Sequence, residues 1–134
     1  MTEAYCSNAV VGANSPIPFN NVSIQKGCTS ILSAPGTIQL NKKGVYMVDV
    51  NTSAIAGEAG SMNIELVKNG IKQPQASQSV TAADTTSTYP LSFSTLVQVS
   101  EDNTPCCCTS PTIVQILSSI PTTQSANIVV TKIC

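Results

Sequence analysis

Three consecutive cysteines, Cys106, Cys107 and Cys108, stand in the segment EDNTPCCCTSPT (101–112), and Cys6, Cys28 and Cys134 complete the thiol set. Thiols at this density offer three chemistries: a metal centre, an activated nucleophile, or covalent staples. A zinc centre fits poorly. Neighbours on an extended chain point to opposite faces, so only Cys106 and Cys108 could share an ion, and the usual two-residue spacer between zinc-binding cysteines is missing. An activated thiolate needs a cation or a helix N-terminus to depress its pKa, and the chain contains neither histidine nor arginine. Disulfides, and reduced thiols buried as small apolar residues, both remain open.

The other side chains offer little for catalysis. General acid–base work is most often done by histidine, and a serine or cysteine nucleophile would lack that base. The seven carboxylates (Glu3, Asp49, Glu58, Glu65, Asp84, Glu101, Asp102) show no spacing that pairs them. A non-enzymatic protein is expected, with no cofactor and no metal. Two Asn-x-Ser triplets, at 21–23 and 51–53, match the glycosylation pattern, but no export signal accompanies them.

Composition narrows the class further. A length of 134 residues suits one domain, 1–134, with a core of its own. Only 10% of residues are charged and the net charge is -1, while Ser and Thr make up about a quarter of the chain, well above average usage. The polar surface must therefore be built from hydroxyls and amides. Such surfaces suit virion and extracellular proteins and subunits that pack against copies of themselves. Six lysines without a basic stripe argue against a nucleic-acid partner. No apolar run is long enough to span a membrane as a helix. The N-terminal MTEAYCSNAV lacks the charged and apolar regions of a signal peptide, which predicts synthesis in a cytoplasm without secretory export.

The elements that must carry these residues are strands. Period-two alternation runs through 44–54, 61–70 and 89–100, and short β-branched runs occupy 112–119 and 126–133. Lys68-Asn69-Gly70-Ile71 reads as a two-residue hairpin, and 40–46 as another tight reversal. The segment ASQSVTAADTTST (76–88) has no large side chain beyond Val80 and reads as a long exposed loop. Seven to nine short strands make an all-β antiparallel sandwich or jelly roll. Several strands are apolar on both faces, and a neighbouring subunit is the simplest cover for the outer one.

The order of these signals resembles the trimeric jelly-roll superfamily of the complement-type globular head and tumour necrosis factor. The resemblance rests on AYCSNA (4–9), IPFNNV (17–22), the Gly-x-Tyr block in GTIQLNKKGVYMVDVNTS (36–53), IELVKNG (64–70), FSTLVQVSEDN (93–103) and SANIVVTKIC (125–134). Glu101-Asp102 departs from the family, which usually has Gly-Asp there. Charge-poor, hydroxyl-rich relatives include phage head fibres, capsid decorations and spore-surface heads.

The resemblance implies a homotrimer exposed on a virion surface, with a capsid or other virion protein as its partner. Alternatives of the same fold are a spore-surface head, and an adhesin-like head that binds a host-surface receptor or glycan. The trimer contacts are expected at Tyr46, Met47, Val48, Ile128, Val130 and Ile133. First and last strands are neighbours in this superfamily. It therefore also implies that Cys6 and Cys134 lie near one end, with the loop carrying Cys106–Cys108 brought to that end and Cys28 a further disulfide candidate, connectivity open.

Overall fold

The computed structural model describes residues 1–27, 30–99 and 112–133. Among them are eleven strands: β1 Thr2–Val11, β2 Ser15–Pro16, β3 Asn21–Gln25, β4 Ser30–Ala34, β5 Thr37–Leu40, β6 Gly44–Ala56, β7 Gly60–Lys68, β8 Ile71–Ala82, β9 Thr88–Val99, β10 Thr112–Ser118 and β11 Thr122–Lys132. They form two antiparallel sheets, ordered β3-β1-β11-β6-β9 and β4-β5-β10-β7-β8, with β2 added beside β10. This is the expected jelly-roll sandwich.

Alternation explains why these residues pair as they do. In β11 buried and half-buried positions alternate from Thr122 to Val130, so one edge of each residue pair faces the opposite sheet. The inward rows of β6 (Tyr46, Val48, Val50) and β11 (Ile128, Val130) meet Ile38, Leu40, Ile64, Leu66, Val114 and Ile116 from the second sheet in one buried cluster. Tyr46, from the Gly-x-Tyr block, is fully buried. Its hydroxyl donates to the Lys42 carbonyl at 2.7 Å and accepts from the Lys42 N–H at 3.2 Å. That pair of bonds ties down the corner leading into β6.

The register defines two ends. β1 and β11 pair from Thr2↔Val130 to Val11↔Thr122, and β6 and β9 from Gly44↔Val99 to Ile55↔Thr88. One end, termed basal, holds Met1, Gly44, Val99 and Ile133. The distal end holds Val11, Ala56, Thr88 and Thr122.

The Asn-Gly hairpin forms as expected between β7 and β8. Asn69 and Gly70 have φ of 51° and 81°, the left-handed pair that a type I′ turn requires. Asn69 also joins the turn to β10: its N–H donates to the Ile113 carbonyl at 2.8 Å, and its Oδ1 accepts from the Ile113 N–H at 2.7 Å.

Three local expectations are corrected. The strands number eleven among the described residues, not seven to nine. Residues 40–46 do not close a hairpin, because β5 and β6 belong to different sheets and the chain crosses between them. Residues 76–82 are strand, the second half of β8, paired with β7 through Gly60↔Ala82 and Met62↔Val80. The loop is only 83–87, where Asp84 Oδ1 accepts from the N–H groups of Thr86 and Ser87. These hydrogen bonds, led by that from Ser87, hold the Asp84 carboxyl below its ordinary pKa.

Candidate interaction surfaces

Of the six cysteines, the described residues include Cys6; Cys28, Cys106, Cys107, Cys108 and Cys134 lie outside them. Cys6 is a free thiol, 3% exposed, whose Sγ donates to the Gln124 carbonyl at 3.9 Å. Burial pushes its pKa up, opposed by the backbone hydrogen bond from Ala126. Cys6 pairs with Ala126, seven residues before Ile133 on the same chain. At about 3.3 Å per strand residue that puts Cys6 roughly 23 Å along the strand from Ile133, the last described residue. The expectation that Cys6 joins the chain end is therefore corrected: it is an interior residue of mid-strand.

The residues that flank the other five converge. Ser30 pairs with Leu40, which also pairs with Thr112. Val99 pairs with Gly44, and the Ile133 N–H donates to the Val45 carbonyl at 2.8 Å. All these flanks sit at the basal end.

The expected contact residues divide. Tyr46, Val48, Ile128 and Val130 are at most 1% exposed within a single subunit. They face the opposite sheet and offer nothing to a neighbour, so their assignment to a subunit contact is corrected. Met47 and Ile133, by contrast, are 40% and 48% exposed.

These two belong to a broader surface. Of ten exposed large apolar residues among those described, only Ile71 belongs to the β4-β5-β10-β7-β8 sheet; the rest lie on or beside the other. Met47 pairs with Leu96 on β9 and with Thr131 on β11, placing Met47 and Leu96 side by side on the outer face. Further toward the distal end the same face turns polar, with Asn51, Ser53, Ser92, Ser125 and Asn127 lining an open concavity of ≈ 460 Å³. Asp49, between the two regions, accepts a hydrogen bond from the Ser94 hydroxyl.

The lysines are sorted along the sandwich in a way the linear sequence hides. Lys26 follows β3, where its N–H donates to the Met1 carbonyl; Lys42 and Lys43 occupy the β5–β6 corner. Lys68 ends β7, Lys72 opens β8, and Lys132 ends β11 opposite Tyr46. All six lysines are thus at or near the basal end. Glu58 and Asp84 lie in the distal β6–β7 and β8–β9 connections. Glu3, Asp49 and Glu65 lie on strands nearer the lysines, so it is the lysines, and not the charge as a whole, that gather at one end. Among the described residues no group of three potential ligands could hold a metal ion, and no helix is long and apolar enough to cross a membrane.

No protein-family model and no curated protein sequence matches the chain. Solved structures do. The globular domain of zebrafish complement 1qA protein is 12% identical with a TM-score of 0.71, covering 99% of this chain and 96% of its own. Murine APRIL at pH 5.0 is 5% identical with a TM-score of 0.67, covering 98% of each chain. The PRD1 vertex protein P5 is 14% identical with a TM-score of 0.63, covering 99% of this chain and 96% of its own. At these identities the likeness is one of fold, and the fold is the jelly roll of the complement-type globular head and tumour necrosis factor.

Proposed function

We propose that this chain is a non-enzymatic structural protein, a homotrimeric capsid decoration or head-fibre protein displayed on a virion surface. The observation that carries the self-association is that nine of the ten exposed large apolar residues among those described lie on or beside one sheet, with Met47 and Leu96 adjacent on its outer face. Monomers rarely leave such a surface uncovered, and a second and third copy supply the cover. Likeness to a vertex protein supports the virion setting, as does a surface built from hydroxyls and amides.

Sedimentation at micromolar concentration should give a species three times the 13.9 kDa chain. Met47→Glu with Leu96→Glu should yield a folded monomer by circular dichroism. A wild-type monomer would sink the assembly. Mass spectrometry of purified particles tests the setting separately: the chain should be present in fixed stoichiometry to the capsid protein, and its absence would refute the virion reading.

A receptor- or glycan-binding head is the second reading, favoured by the concavity lined with Asn51, Ser53, Ser92, Ser125 and Asn127. Amides and hydroxyls there match the donors and acceptors of a sugar. A glycan array probed with the trimer tests it, with Asn51→Ala as the variant that should lose binding.

A further inference from the structure

Leu66 of β7 stands opposite four residues of β8. The pairs on either side are Glu65↔Ser77 and Val67↔Lys72, which leaves Gln73, Pro74, Gln75 and Ala76 to span the gap. An ordinary bulge sets two residues against one, so this excursion is the larger. Its course is held: Ala76 is fully buried, and Pro74 is exposed, with no N–H to lose from the ladder. Bulges re-aim side chains and gather beside functional sites. This one walls a notch of ≈ 220 Å³ on the open flank of the sandwich, between β8 and β9, the outermost strands of the two sheets. Leu66 and Val97, both buried, give the notch an apolar lining. Lys68 Nζ crosses from one sheet to the other and donates to the Gln98 carbonyl at 2.7 Å. That bond fixes the ammonium in place and leaves two of its three N–H groups for a ligand. Beside it stand the carboxamides of Gln73 and Gln75 and the hydroxyl of Thr95. Gln73 Nε2 donates to the Ile71 carbonyl at 3.0 Å, and Gln75 Nε2 to Gln73 Oε1 at 3.5 Å, so these amides are positioned too.

We infer that the notch binds a carboxylate-bearing sugar unit, a hexuronate or a sialic acid, with the carboxylate on Lys68 Nζ and ring hydroxyls on Gln73, Gln75 and Thr95. Charge sets the first half of that assignment. Lys68 is the one charged residue lining the notch, and its neighbour Lys72 is paired with Glu65 at 3.1 Å. One ammonium matches one carboxylate through a charge-assisted hydrogen bond, whereas a doubly charged phosphate would leave a charge unmatched. The rim sets the second half. Carboxamides and a hydroxyl donate and accept alike, as sugar hydroxyls require. The volume lies below the range of about 300–1,000 Å³ that holds drug-sized ligands, so the occupant is one compact ring. This site is separate from the outer-face concavity lined by Asn51 and Asn127, and it stands whether or not the chain decorates a particle. Leu96, part of the proposed subunit contact, borders the notch, so binding is measured on the protein as it assembles, with sedimentation read alongside.

The test is an NMR titration of the intact protein that follows backbone and side-chain amides. Methyl glucuronide and the methyl glycoside of N-acetylneuraminic acid are added to roughly 20 mM, enough to saturate a site of about 1 mM affinity. Methyl glucoside and sulfate serve as the neutral and inorganic controls. At least one acid should shift the side-chain amides of Gln73 and Gln75 and the backbone of Thr95 to Gln98, and the tighter of the two identifies the sugar. Both controls should bind about tenfold more weakly or worse, since they lack the carboxylate that a charged donor rewards. Lys68→Gln should reduce the acid to the level of methyl glucoside. Gln75→Ala, which leaves the Lys68 bridge to Gln98 in place, should weaken the acid several-fold. Thermal melting checks both variants, and Gln75→Ala with the control sugars carries the test if Lys68→Gln does not fold. Failure of both acids to shift these amides, equal binding of methyl glucoside or sulfate, or unchanged binding by either folded variant would overturn the inference. Shifts confined to Asn51 and Asn127 would also overturn it, while favouring the concavity as the sugar site.

Discussion

The Thr52 hydroxyl donates to Gln124 Oε1 at 2.8 Å in the sandwich interior, where Gln124 is fully buried. Gln124 Nε2 in turn donates to Thr122 Oγ1 at 2.7 Å, so β6 and β11 share a closed polar chain beneath the outer concavity. Thr52→Val keeps the shape but leaves Oε1 without a donor, and should cost about 1–3 kcal/mol. Adding Gln124→Leu removes the orphan, so the double variant should cost less than the sum of the two single changes. Urea midpoints of the four proteins in this cycle measure the coupling, and additive costs would contradict it.

Cys6 should behave as an inert interior group. Iodoacetamide should spare it in the folded protein and label it after denaturation. Its pKa is raised from an ordinary 9.0, chiefly by burial, and that fixes the sign of its pH effect. The neutral thiol's contribution to stability is complete below the unfolded value and is lost as pH climbs through the folded one. Relative to Cys6→Ala, the wild type should therefore lose stability above pH 9.0 and not below it. Denaturant midpoints of both proteins at neutral and alkaline pH provide the check.

Two glycines with positive φ should respond differently to alanine. Gly70 has φ +81° and open space where a Cβ would go; Gly36 has φ +77°, but its Cβ would sit 2.7 Å from the Ile17 carbonyl oxygen. A left-handed alanine costs about 1–2 kcal/mol, so Gly70→Ala should lose about that much. Gly36→Ala should lose clearly more, since the clash is with backbone and the neighbouring Ile17 is buried. Equal thermal midpoints for the two variants would show that the Ile17 segment yields freely.

The remaining cysteines support a separate proposal. Chain flanking Cys28, Cys106–Cys108 and Cys134 meets at the basal end, so disulfides among these five are expected in assembled particles and not in the reducing cytoplasm. Closing such loops typically adds about 2–4 kcal/mol. Non-reducing against reducing peptide mapping should reveal linked peptides from these five and none from Cys6. Six free thiols in both samples would rule the bonds out.

Much of the architecture could be read from the chain because its signals are local. Alternation marked β6, β7 and β9, and Asn69-Gly70 marked a turn whose positive φ pair few other sequences accept. Where the reading failed, the deciding physics was non-local. Residues 76–82 carry little bulk, yet a strand facing solvent needs backbone pairing more than large side chains. Which face of 44–50 turned inward depended on the opposite sheet, so Tyr46 and Val48 were mistaken for a contact surface. The lysine pole arises only when five separate segments are brought into register. Distribution in space was the missing quantity, and composition alone could not supply it.

Strand β8 is an outermost strand, hydrogen-bonded to β7 alone in its sheet. A twelve-residue edge would ordinarily invite another chain to add itself and begin a fibril. Here Pro74 removes one N–H from the ladder, the register shift opposite, between Glu65 and Val67, breaks its regularity, and Lys72 adds charge. The hydroxyls and amides that made this stretch look like a loop leave an incoming strand little to zip against. The open flank of the sandwich is thereby kept from seeding aggregation.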